Sequence, residues 1–265
     1  MSSPPIAGPP SGPVDVPPVV AAFAGGGAVT PVWRNGLGGL TFRVGDQYVK
    51  WSPATSPGPD LRVEADRLRW ASPWARVPRV VGQGADEHGS WLVTEALPGW
   101  SPVDPRRPVT PEIAARAIGR GLRSLHDAAP VAGCPFDWGV PMRLAKADRR
   151  IAAGMSPAEW WPEHRGLDVE RARAKLGSPP EIDRLVVCHG DACVPNTLID
   201  DAGSFAGHVD LGSLGVADRW ADLAVAAWSM DWNFGPGHDG LVYEAYGVAP
   251  DPVRIAYSRL LWDLT

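Results

Sequence analysis

Residues 185–196 read Leu-Val-Val-Cys-His-Gly-Asp-Ala-Cys-Val-Pro-Asn, and fourteen residues beyond Asn196 the chain reaches Asp210-Leu211-Gly212. A short apolar run delivers the chain to Asp191, and an Asn follows five positions later. A second Asp stands before a Gly after two further strand-like runs. Phosphoryl transfer asks for these groups in this order: a carboxylate to take the acceptor's proton, then a carboxamide and a second carboxylate for the divalent ions on the nucleotide phosphates. A lone Asp usually closes a turn or ends a strand. The joint match of order and spacing outweighs that reading.

The flanking runs, residues 197–199 and 205–209, are predicted to pair about a turn centred near Gly203. This register sets residue 199 opposite 207 and brings Asn196 beside Asp210, two hard oxygen donors suited to Mg²⁺. Asp191 is assigned as the group that orients and deprotonates an acceptor hydroxyl. His189 is read as a brace for the loop. Asp218 and Asp222, one helical turn apart, are read as supports that hold the loop from behind.

Upstream, residues 29–51 alternate β-prone runs with glycine turns and predict three antiparallel strands, with the Gly36–Gly39 turn only a weak match to a phosphate-binding loop. After a Pro/Gly/Ser loop at 52–59, Asp60 is placed to cap a helix to about Ala71 whose apolar stripe is Leu61, Ala65 and Leu68. Glu64 falls inside that stripe, and a core-facing carboxylate needs a cation. Lys50, at the end of a strand, is assigned to it; such a pair can hold a lysine against nucleotide phosphates. Residues 77–81 and 90–94 are predicted as two more strands. Helices are expected over 110–126, 141–154, 168–176, 218–229 and 252–264, with 156–166 a loop or lid.

With 265 residues, 45% hydrophobic and 21% charged, the chain can bury a core large enough for two lobes sharing a cleft. Its net charge of −5 argues against a nucleic-acid partner. No apolar run is long enough to span a bilayer, and no secretory signal opens the chain, so no membrane partner and a cytoplasmic address are expected. Cys134, Cys188 and Cys193 are an odd set expected to be reduced, and with His189 they do not complete a tetrahedral zinc site. The expected organisation is a disordered Pro/Gly-rich leader (1–18), a strand-rich lobe (19–97) and a larger helical lobe (98–265).

His189 to Asn196, Gly207 to Gly212, Gly215 to Ala224, Cys134-Pro135-Phe136-Asp137 and Arg254-Ile255-Ala256 with Leu260-Leu261 together resemble the aminoglycoside phosphotransferase family, of the kanamycin and neomycin kinase (3′-phosphotransferase) type. The resemblance implies an α+β, protein-kinase-like fold with an antiparallel N-lobe sheet carrying one main helix and a mainly helical C-lobe. It implies ATP or GTP as donor and Mg²⁺. Asp191 is then the catalytic base, Asn196 and Asp210 the metal ligands, and Lys50 with Glu64 the phosphate-positioning pair. The backbones of Thr94 and Ala96 are expected at the purine. By the same resemblance the acceptor is an aminoglycoside, met by Glu159, Glu163, Asp231, Asp263 and the terminal Thr265, and the protein is a monomer or weak dimer. The acceptor segments depart from the family: the 155–163 loop is poorer in acid and carries Trp160 and Trp161, and the end keeps one carboxylate where a pair is usual. Two alternatives stay open, a kinase of this fold for a macrolide, choline or sugar, and a nucleotide-binding scaffold without turnover.

Overall fold

The computed structural model describes residues 7–55 and 60–265. The first six residues of the expected leader and residues 56–59 of the expected loop lie outside the described residues. The chain divides into two compact units, one of residues 1–73 and 77–98, the other of 74–76 and 99–265.

The first unit is built on a five-stranded sheet in the order β1-β2-β3-β5-β4. Helix α1 (Pro18–Ala24) precedes β1 (Val29–Arg34), β2 (Leu40–Val44) and β3 (Gln47–Pro53); α2 (Leu61–Ala71) leads to β4 (Val80–Ala85) and β5 (Gly89–Glu95). All pairings are antiparallel. Within the expected leader, Gly8 exchanges both backbone hydrogen bonds with Arg34. Val20 of α1 is fully buried with Leu40, Phe42, Val49 and Val93. An apolar residue every second position on β2 and β3 supplies that core. Asp60 caps α2, its side chain accepting from Arg62 N–H at 2.9 Å. β4 begins three residues later than the sequence predicts. Pro78 has no N–H to give a ladder, so pairing starts at Val80 opposite Thr94.

The second unit is mainly helical: α3 (Pro111–Ala128), α4 (Val140–Ala152), α5 (Val169–Lys175), α6 (Trp220–Phe234), α7 (Asp239–Tyr246) and α8 (Pro252–Leu264). Two small antiparallel pairs complete it, β6 (Leu185–Cys188) with β9 (Gly215–Asp218), and β7 (Thr197–Ile199) with β8 (Phe205–His208). Its main core joins Ala115, Ile118 and Leu122 of α3 to Leu223, Ala226 and Met230 of α6 and to Val242 and Tyr246 of α7. Gly119 lets α3 and α7 approach closely, because a Cβ there would strike the Val242 carbonyl. Helix α6 starts and ends later than expected, since residues 215–218 pair with β6 before the helix begins. No helix among the described residues is long and apolar enough to cross a membrane.

Candidate active site

Strand β6 is buried from Val186 to Cys188 and carries the chain to a loop whose shape is set by one carboxylate. Asp222, in the first turn of α6 and fully buried, accepts the His189 N–H at 2.6 Å and the Gly190 N–H at 2.8 Å. Its third partner is Nε2 of His126 on α3 at 3.0 Å, and His126 Nδ1 meets the Tyr246 hydroxyl at 3.0 Å. Burial opposes ionisation of Asp222, but the hydrogen bond from His126, the electrostatic influence of the neighbouring imidazoles and the Gly190 N–H outweigh it and hold the carboxyl below its ordinary range. Gly190 has φ 84°, and a Cβ there would fall on the Ser213 carbonyl, so this turn admits only glycine.

The His189 ring is a brace, as expected from the sequence. Its Nδ1 accepts the Asp191 N–H at 3.3 Å, which leaves Nε2 as the donor to the Val209 carbonyl at 3.0 Å. One imidazole thus joins the backbone of Asp191 to the residue before Asp210. The Asp191 carboxylate accepts from the Cys193 thiol at 3.1 Å through Oδ1 and from Asn196 Nδ2 at 3.2 Å through Oδ2. The same Asn196 amide donates to the Asp191 carbonyl at 2.9 Å. That pins the amide nitrogen inward, so Oδ1 is the Asn196 atom left for other partners. Removal from water raises Asp191 above its ordinary range, and the charge of Asp210 raises it further. Asp210 itself is exposed and stands at φ 64°, the left-handed region.

The hairpin register differs from the predicted one by a residue. Thr197 pairs with His208 and Leu198 with Gly207, then a bulge shifts Ile199 to Phe205. Asn196 therefore lies opposite Val209, whose N–H donates to its carbonyl at 2.9 Å, and not directly beside Asp210. The turn is responsible: the Asp200 carboxylate accepts from Ala202 and Ser204 N–H groups, which tightens it and takes up a residue on one strand. Asp218 also departs from its expected place. Its carboxylate accepts from Asp183 N–H at 2.6 Å and Trp220 N–H at 3.0 Å, at the end of the β6–β9 pair away from the loop.

In the first unit, Lys50 Nζ lies 2.7 and 2.9 Å from the two carboxylate oxygens of Glu64, which is 5% exposed. The paired acid on the α2 stripe is as the sequence predicts. The Ala96 N–H donates to the Asp46 carbonyl at 2.8 Å, because the β3–β5 register through Gln47 opposite Glu95 continues one pair further. Thr94 sits inside that sheet, paired on both sides.

The residues expected to meet the acceptor split into two kinds. Asp263 is buried, accepting Trp161 N–H at 3.2 Å and facing His164 Nδ1 at 2.6 Å, and it braces the 160–164 segment from within. Thr265 donates its hydroxyl to the Leu261 carbonyl at 2.8 Å and accepts from Arg143 at 3.3 Å. Glu159 is exposed in a one-turn 3-10 helix, and Glu163 lies 3.6 Å from Arg259. Asp231 keeps a buried Oδ1 with no hydrogen-bond partner among the described residues, and burial raises its carboxyl above the ordinary range, with Asp239 adding to the shift. Around these, Trp161, Trp228, Trp232 and Trp262 stack with ring centroids 4.7 to 6.1 Å apart. Trp160 instead packs inside the unit with Leu176, Leu260 and Leu264.

Residues 29–260 match the model of the phosphotransferase enzyme family. The chain belongs to that family. It is 38% identical over 212 residues to an aminoglycoside 3′-phosphotransferase of Streptomyces fradiae, covering 76% of this chain and 78% of the relative. To the streptomycin 3″-kinase of Streptomyces griseus it is 34% identical over 260 residues, covering 92% and 94%. Among solved structures it is similar to an aminoglycoside phosphotransferase of Streptomyces rimosus in complex with ADP and streptomycin, at TM-score 0.70 and 27% identity over 92% of this chain and 98% of that one. This phosphotransferase is therefore an enzyme of the kinase-like fold that its motifs predict.

Three residues in or around the loop were given no site role by the sequence reading: Cys193 of the loop itself, His126 of α3, which meets Asp222, and Ser229 of α6, which accepts the Val194 N–H. His126 lies on the buried face of α3 among apolar residues, and a histidine on such a stripe is the signal that could have found it. Cys193 and Ser229 resemble ordinary small core residues and carry no comparable signal.

Proposed function

We propose that this protein transfers the γ-phosphoryl group of ATP, or of GTP, to a hydroxyl of an aminoglycoside in the cytoplasm and so confers resistance. The observation that carries the reading is the single imidazole of His189, which links the Asp191 backbone to the residue preceding Asp210 while Asn196 bonds to Asp191. In this reading Asp191 orients the acceptor hydroxyl and takes its proton as the oxygen attacks phosphorus. Burial and the Asp210 charge raise its carboxyl and improve it as a base. Lys50, steadied by Glu64, holds the nucleotide phosphates.

The donor set fits a divalent ion. Asn196 Oδ1 and the Asp210 carboxylate are hard oxygens, and Asp191 has no Lys or Arg hydrogen bond or ion pair among the described residues. Mg²⁺ bound there supplies positive charge to the transferring phosphates. Asn196 and Asp210 would hold it.

An ADP-release assay over kanamycin, neomycin and streptomycin tests the proposal, with Asp191→Ala as control. Turnover of at least one drug, abolished in the variant, is the expected result. A second reading has its own support: with Asp263 buried against His164 and four tryptophans stacked nearby, the free acids are few. That composition suits an acceptor with less positive charge, such as a macrolide or a sugar, and turnover of those alone would favour it.

A further inference from the structure

We propose that the Cys193 thiol is a positioning residue for phosphoryl transfer, donating to one oxygen of the Asp191 carboxylate and so holding it in its working orientation. The inference rests on the reading of Asp191 as the base.

The segment that carries the thiol is tied to α6. Ser229 is fully buried on α6, and its oxygen accepts the Val194 N–H at 2.9 Å and Asn233 Nδ2 at 3.2 Å. The residue that follows Cys193 is thereby held to α6. The Cys193 thiol donates to Asp191 Oδ1 at 3.1 Å. Burial first and then the Asp191 charge keep the Cys193 proton in place, so the thiol stays a donor. Asn233 is itself anchored, its amide donating to the Ser229 carbonyl at 2.7 Å.

The second contact of the carboxylate explains why the first is needed. Asn196 reaches Asp191 Oδ2 from its Nδ2 at 3.2 Å, but that amide also serves the Asp191 carbonyl at 2.9 Å. One contact leaves the carboxylate able to pivot about the oxygen it holds. A donor on each oxygen fixes the plane, and with it the lone pair offered to an acceptor hydroxyl. The thiol has no metal to bind in this role and forms no covalent bond.

The test is a panel of Cys193→Ala, Cys193→Ser, Ser229→Ala and Asp191→Asn with MgATP and the drug turned over fastest among kanamycin, neomycin and streptomycin, joined to a crystal structure of Cys193→Ala. Cys193→Ala should lower kcat about tenfold, the weight of one charged hydrogen bond, with KM for ATP within about twofold. Cys193→Ser, which keeps a donor, should recover to within about threefold of the parent, and Ser229→Ala, which takes the acceptor from the Val194 N–H beside Cys193, should fall between. The crystal structure should show the Asp191 carboxylate rotated while Asn196 keeps its place. Equal kcat for the parent and Cys193→Ala, or an unmoved carboxylate, overturns the inference. Should Asp191→Asn retain its rate, the error lies instead in taking Asp191 as the base.

Discussion

The Asp263 carboxylate lies 2.6 Å from Nδ1 of His164, and both side chains are buried. The pair ties α8 to the tryptophan-bearing segment before α5, with Trp161 N–H as an additional donor. Asp263→Ala strands a buried imidazole and a backbone N–H, and breaking a buried pair on one side is costly. Chemical unfolding should show a loss of about 3 kcal/mol, with Asp263→Asn losing less because it keeps an acceptor. A large rise in drug KM with unchanged stability would return Asp263 to the acceptor site.

Lys50 and Glu64 give a different signature. Lys50→Met leaves Glu64 charged at 5% exposure, and about 3 kcal/mol of stability should go with the phosphate contact. Replacing both residues by Met removes the buried charge together with its cation, so the double variant should regain most of the stability and none of the activity. Thermal unfolding beside ADP-release rates separates the two effects. If the double variant is no more stable than the single one, burial of the acid is not what the lysine compensates.

Asp222 sets the acid limit of the loop. Its three donors outweigh burial and depress its carboxyl in the folded state, whereas in the unfolded chain it returns to about 3.9. The folded protein therefore gains from the ionised form, a gain fully present above about pH 4 and lost as pH falls through the lower folded value. Asp222→Asn has one acceptor oxygen for three donors and turns an N–H₂ toward one of them. At neutral pH it should cost about 3 kcal/mol, and the gap to the parent should close below about pH 4. Urea unfolding from pH 7 to pH 3 measures this; a gap independent of pH would refute it.

What the sequence discloses about this site follows from distance along the chain. The Lys50–Glu64 pair was legible because an acid broke an apolar helical stripe, a pattern that demands a partner within one supersecondary unit. The Asp191, Asn196 and Asp210 constellation was legible because its members are close in sequence and their spacing is constrained by the loop and hairpin. The hairpin register was not, since the side chain of Asp200 decides how tightly the turn closes and no period encodes it. The internal partners of Asp263 and Ala96 were hidden for a common reason. Each has a polar group that long-range packing assigns to an internal partner, His164 from 99 residues away and Asp46 across a continued ladder. The β9 strand and α7 were missed because Gly215-Val216-Ala217 and Gly240 have weak local preference, and pairing with β6 and packing on α3 determine them.

Asp210 combines a function and a strain in one residue. At φ 64° an L-residue with a Cβ sits less comfortably than glycine, and its charge also raises Asp191. Both effects cost stability in the metal-free protein, and a glycine relieves both. Asp210→Gly should therefore raise the midpoint of thermal unfolding without Mg²⁺, corresponding to about 1 kcal/mol, offset in part by the greater freedom of glycine in the unfolded chain. The same variant should lose Mg²⁺-dependent stabilisation by ATP and show no turnover, because the hard carboxylate is gone. Asp210→Ala lacks the charge but keeps the Cβ in the left-handed region, and should be less stable than Asp210→Gly. Differential scanning fluorimetry with ATP, with and without Mg²⁺, reads all three proteins in one experiment. A glycine variant less stable than the parent without metal would mean that Asp210 makes structural contacts worth more than the strain it carries.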